Sequence, residues 1–314
     1  MALPASGEIK LSDIGAEFSA ANLDLSLGGL EGNIYGAINT ASPSYPDGLQ
    51  PNEFSEWYSY DHNASSNAYY YNTGSNRITY NSGNNFPDNP SSSFSISLWV
   101  APRWSGGSGN NVFLDIRDTS SNTNNRVFVQ YHRSNNRIVF NRRANATNFR
   151  QQWSVHDNST VTGISTSSTK FDANNGNKNS DGFTHLLFTY DGSGSSSNGM
   201  VKCYWNGNAM GSPLFNDSKS VFAFPLMDEL CINGNLHNTN GTLDTDYDMI
   251  QIYDKVLSST EISDLYNSGT PISAEDVSLD TDLVFEDRAE SATGVDETGD
   301  YSFVSNGGAT VTAY

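Results

Sequence analysis

The stretch Gly241–Gly269, GTLDTDYDMIQIYDKVLSSTEISDLYNSG, constrains the fold more than any other part of the chain. It reads as a strand, a turn and one short helix. Side chains alternate along a strand, so Asp248, Ile250 and Ile252 are expected on one face. Ser258, followed three residues on by Glu261, fits a capping box in which each side chain satisfies the other's free backbone N–H. Ile262, Leu265 and Tyr266 follow at helical spacing. Gly269 and Pro271 are expected to stop the helix.

Strand periodicity extends across residues 63–270. In Phe94–Val100, the side chains of Phe94, Ile96, Leu98 and Val100 face one way and those of Ser95, Ser97 and Trp99 the other. Arg126–Tyr131 and Arg137–Phe140 form a hairpin about Ser134–Asn136. Thr184–Tyr190 ends at Asp191–Gly192, and Val201–Trp205 ends at Asn206–Gly207, a strong hairpin turn signal. Only 16% of the residues are charged and 36% hydrophobic, so Asn, Ser, Thr and Gly make up much of the rest. With 16 Tyr and 16 Phe, this composition suits a loop-rich all-β protein and argues against disorder. Residues 141–182 carry few apolar side chains and are expected to form a long surface insertion.

The runs FSISLWV, DGFTHLLFTYDG, VKCYWNGNAMG and DMIQIYDKVLSSTEISDLY resemble, in the same order, strands and the closing segment of laminin-G-like, concanavalin A-like lectin domains. They span about 175 residues. The resemblance implies a two-layer antiparallel jelly-roll sandwich at residues 63–276 that recognises a ligand and performs no chemistry. Asp282–Arg288 resembles the strand that opens such domains. Residues 277–314 are therefore expected to complete the sandwich in permuted order beside strands near Tyr69–Tyr80, which would cover an otherwise open edge.

Residues 1–62 are too short and irregular to hold a core alone. Pro4–Ile14 (PASGEIKLSDI) and Glu53–Tyr60 (EFSEWYSY) resemble the opening and closing runs of N-terminal modules in tailed-phage virion proteins. The resemblance implies a short irregular anchoring module. Ile9, Leu11, Phe18, Phe54, Trp57 and Tyr58 would dock onto a capsid, collar or tail protein, or build a homo-oligomer such as a trimer.

Candidate sites are few. A glycosidase of this fold needs two carboxylates close together. The Glu-x-Asp-x-(x)-Glu strand signature is absent, and Glu286 and Glu290 have the wrong spacing. His62, His132, His156, His185 and His237 are scattered, and none is spaced as a zinc pair. Asp244, Asp246 and Asp248 alternate, which puts three carboxylates on one strand face, where calcium is the ion they would hold. No other cofactor is expected. Sugar stacking needs an aromatic face with polar groups beside it. Trp104 stands beside the run Ser105–Gly109, and Trp153 lies near Arg142, Arg143 and Arg150 in the polar insertion; these form the glycan-binding expectation. Cys203 and Cys231 lie in apolar strand-like runs and are expected as buried thiols, with a single bridge between them as the alternative.

The net charge of −19 argues against nucleic-acid binding, and no apolar run is long enough to span a membrane. The N-terminus lacks the basic start and apolar core of a secretion signal, so synthesis in a host cytoplasm is expected, with release by a route such as lysis. The expected role is a structural or adhesion protein of a phage virion (head fibre, tail fibre or decoration subunit) that touches a bacterial surface polysaccharide. A bacterial secreted or surface carbohydrate-binding module is the alternative, and a glycosidase of the same fold the second.

Overall fold

In the computed structural model, the described residues are 14, 57, 68–71, 77–81, 93–102, 110–118, 126–132, 137–144, 147–154, 183–192, 201–213, 215–216, 228–234, 245–289, 294–298, 302–305 and 309–313. The chain divides into two compact units, residues 1–67 with 275–278 and residues 68–274 with 279–314. In the first, Ile14 and Trp57 are fully buried, and Glu275–Val277 form a 3-10 turn.

The second unit is a two-layer antiparallel sandwich. Its strands are β1 (Ala68–Tyr71), β2 (Ile78–Asn81), β3 (Ser93–Pro102), β4 (Asn110–Arg117), β5 (Arg126–His132), β6 (Arg137–Ala144), β7 (Thr147–Ser154), β8 (Thr184–Asp191), β9 (Val201–Trp205), β10 (Asn208–Ala209), β11 (Phe215–Asn216), β12 (Glu229–Ile232), β13 (Thr245–Tyr253), β14 (Leu283–Asp287), β15 (Ser302–Ser305) and β16 (Thr310–Ala313). The first sheet runs β10-β9-β8-β3-β13-β1-β16, with β14 also on β13; the second runs β11-β7-β6-β5-β4-β12-β2-β15. The C-terminal strands pair with the first strands of the unit: β16 lies against β1, with Ala68 opposite Ala313, and β15 lies against β2.

The core lies between the sheets. Phe94, Ile96, Leu98 and Val100 of β3 point into it, where they meet Val127, Val129, Ile138 and Phe140 of the second sheet. Each such burial contributes about 1.5–3 kcal/mol. On the outer face of the first sheet, Trp99 stacks on His185 with ring centroids 4.9 Å apart. Tyr266 stacks on both from the end of the helix α1 (Ser259–Tyr266). Ser97 Oγ lies 2.9 Å from His185 Nε2. Burial alone pulls the imidazole down to about 3, so it is neutral and serves packing. The Asn206–Gly207 turn carries positive φ at both residues, as a two-residue hairpin of this type requires. A Cβ on Gly207 would also meet the Tyr266 ring at 3.1 Å.

Two local expectations need correction. The face shared by Asp248, Ile250 and Ile252 is broken by a β-bulge, with Met249 at φ 30°. The register slips between Asp248 and Ile250, so Asp248 sits opposite Trp99 on the outer face while Ile250 sits opposite Leu98 in the core. The helix ends before Gly269, because Asn267 already takes the left-handed C-cap conformation. The capping box is present: the Glu261 N–H donates to Ser258 Oγ, and the Ser258 N–H donates to Glu261 Oε2 at 2.7 Å. Ser258→Ala is expected to cost about 1 kcal/mol, read as a lower urea midpoint at unchanged slope.

Cys203 and Cys231 are free and buried. Burial raises both thiols well above their ordinary range, which keeps them unreactive.

Candidate functional site

Strand alternation splits the expected glycan cluster. β6 and β7 pair along their full length, with Ile138 opposite Trp153 and Arg143 opposite Asn148. Residues 141–144 and 147–154 are thus strand and not insertion. Trp153 turns inward and is 2% exposed. It packs edge-on against Phe188 at 6.0 Å, and its indole N–H donates to the Gly211 carbonyl at 3.2 Å. With the ring almost wholly buried, Trp153 offers no open face for a sugar. Arg142 also turns inward, donates to the Tyr190 hydroxyl, and lies over that ring at 4.8 Å. Arg143 faces out, and Trp104 lies outside the described residues.

The outer face of the second sheet carries a polar surface that the sequence reading missed. Arg126 of β5 clamps Asp115 of β4 through Nε at 3.0 Å and a terminal nitrogen at 2.6 Å. The Arg126 guanidinium also lies 4.2 Å over the Phe128 ring. Arg117 holds Glu229 through two bonds of 2.8 and 2.7 Å. Arg137 donates to Gln152 at 2.9 Å. Gln130, Asn141 and Gln152 are buried, while His132, Arg137, Arg143 and Arg150 are half-buried. The result is a floor of amides with a rim of guanidinium groups. Burial, with Arg150 and Arg137 nearby, pushes His132 below its ordinary value. The signal was available: from Arg126 and from Arg137 nearly every second residue is polar, which is the pattern of a strand with one polar face.

The acidic residues have other tasks. Asp246 and Asp248 are buried on the outer face of the first sheet. The Met249 N–H donates to Asp248 Oδ1 at 2.7 Å and closes the bulge. Asp244 lies outside the described residues, and among those described no cluster of three or more His, Cys, Asp or Glu could hold a metal ion. Glu286 accepts from Gln251 at 3.0 Å, from the Ala274 N–H at 2.8 Å and from Arg288 at 2.6 Å. Its neighbour Asp287 turns into the core, where it accepts from the hydroxyls of Tyr70 and Tyr80 and, at 2.8 Å, from the Ala289 N–H. The two carboxylates point to opposite faces and are consumed by structural bonds. Glu290 and the anchoring residues Ile9, Leu11, Phe18, Phe54 and Tyr58 lie outside the described residues; Trp57 alone of that group is placed, fully buried.

Comparison with known proteins gives one family. Laminin_G_3, of the concanavalin A-like lectin/glucanases superfamily, matches residues 72–263. No protein with a curated description is significantly similar in sequence. A heptameric SAP-like pentraxin from Limulus polyphemus is similar in structure at 10% identity, with 78% of this chain and 94% of that one covered and a TM-score of 0.45. Domains LG4-5 of the mouse laminin α1 chain are similar at 7% identity, with 62% and 44% covered and a TM-score of 0.40. The binding domain of botulinum neurotoxin DC, solved in complex with SialylT, is similar at 17% identity with a TM-score of 0.38; the match covers 57% of this chain and 36% of that one. Among the described residues no helix is long and apolar enough to cross a membrane.

Proposed function

The chain belongs to the concanavalin A-like lectin/glucanases superfamily, and from that premise we propose that it binds glycans without transforming them, as an adhesion subunit of a tailed-phage particle. The observation that carries the binding reading is the outer face of the second sheet, where buried amides are ringed by arginines. Amides pair with ring hydroxyls in both directions, since each offers a donor and an acceptor. The non-enzymatic reading rests on Glu286 and Asp287, which turn away from each other and are already saturated with donors. Glycoside cleavage needs two carboxylates flanking one bond.

The particle assignment draws its support from the runs Pro4–Ile14 and Glu53–Tyr60. In this reading residues 1–62 attach to a capsid, collar or tail protein, the sandwich projects outward, and many copies supply avidity to a bacterial surface polysaccharide. Mass spectrometry of purified particles tests the location, and the chain is expected among the virion proteins. A panel of bacterial polysaccharides tests the activity, with retention on at least one and no release of reducing ends. A chain that binds glycans yet is missing from the particles would instead be a bacterial carbohydrate-binding module.

A further inference from the structure

We infer that the outer face of the second sheet, across β5, β6 and β7, is a site for a glycan bearing carboxylates. The inference rests on the glycan-binding reading above and narrows it to a chemical class. Its first support is charge. Five of the chain's ten arginines (Arg117, Arg126, Arg137, Arg143 and Arg150) stand on this one face of a protein whose net charge is −19. Asp115 and Glu229 share the face, and each is already held by Arg126 or Arg117. Arg137 and Arg143 have no carboxylate in ion-pair reach among the described residues.

The second support is register. Arg126 lies directly opposite Arg143. Cationic groups placed opposite each other across strands destabilise a sheet. An anion seated between them turns repulsion into attraction.

The third support is three buried atoms with no hydrogen-bond partner, namely Arg143 Nε, Asn141 Oδ1 and His132 Nε2. Asn141 is only 7% exposed. Buried polar atoms are rarely left unpaired without a reason. Arg143 Nε donates, Asn141 Oδ1 accepts, and His132 does either according to its tautomer. Arg143 and His132 are half-buried side chains, so a change of rotamer brings these atoms to a ligand that offers an anionic oxygen and a hydroxyl close together, as a uronic-acid ring does. Single-stranded nucleic acid is disfavoured because it needs open aromatic faces, and the Phe128 ring is covered by Arg126.

The test is calorimetric titration of the whole chain with oligogalacturonate and hyaluronan oligosaccharides, against neutral malto-oligosaccharides. Binding to at least one acidic probe is expected, falling as salt rises. Arg143→Gln and Arg137→Gln are each expected to weaken it about tenfold. Both side chains sit on the rim, so unchanged melting confirms that the fold is intact. A second readout needs no variant: the His132 imidazole, followed by NMR, is expected to titrate higher once the acidic probe is bound. Equal affinity for neutral and acidic probes would overturn the inference and leave the glycan reading standing, as would wild-type affinity in both variants. Failure to bind either acidic probe also overturns it, and retention on the wider polysaccharide panel then decides the broader reading separately.

Discussion

The Asp287→Asn variant is expected to gain on the wild type by about 1.4 kcal/mol for each pH unit between roughly 4 and 7. Asp287 is buried between the sheets, tied to Tyr70 of β1 and Tyr80 of β2. Burial is the largest influence and raises its carboxyl to about 7; donors from Tyr80, Ala289 and Tyr70 oppose the rise, and the charge of Glu297 adds to it. The native state therefore holds a proton that the unfolded chain, titrating near 3.8, has already released. The resulting stabilisation is complete below the unfolded value and is lost as pH climbs through about 7. Asparagine is isosteric and keeps an acceptor and a donor without titrating. Urea unfolding at pH 5 and pH 8 measures the effect, taken as the difference between the two proteins so that the many surface acids cancel. Parallel pH profiles would refute it. The site tolerates little bulk: Gly294 sits at φ +60°, and a Cβ there would lie 2.5 Å from the Tyr80 hydroxyl.

Trp153→Ala is expected to cost about 3–5 kcal/mol, a large share of the 5–15 kcal/mol that typically holds a domain together. The indole fills the space between Ile138 and Phe188, and its N–H partner, the Gly211 carbonyl, would be left without it. Denaturant unfolding reads the loss, and Trp153→Phe is expected to recover much of it. The folded fraction should bind oligogalacturonate with unchanged affinity. The reverse outcome, intact stability with lost binding, would restore this tryptophan as a sugar platform.

These two residues also show what the sequence made legible. Strands whose inner residues are apolar, such as β3 and β8, announce themselves by alternation, and the capping box marked the start of α1. The second half of β6 and all of β7 did not. Their outward positions are Asn141, Arg143, Arg150 and Gln152, and their inward ones include Arg142 and Gln151. With polar side chains on both faces, period two leaves no hydrophobic trace. The stretch therefore reads as a loop, and Trp153 within it reads as exposed. The basic face was hidden for a related reason: its members come from four strands, and only register brings them together. The bulge at Met249 was equally silent, since one extra residue changes no composition yet reverses the facing of Asp248.

The pairing of β1 with β16 also sets the order of assembly. Ala68 must wait for Ala313, and Tyr80 for Phe303, before β1 and β2 have neighbours on both sides. Contacts so distant along the chain are slow to form, because long loops must close before any of them is rewarded. A ribosome would release most of both sheets while those edges still lacked neighbours. Maturation of this protein is therefore a race between two late-arriving C-terminal strands and any foreign strand that finds the gap first.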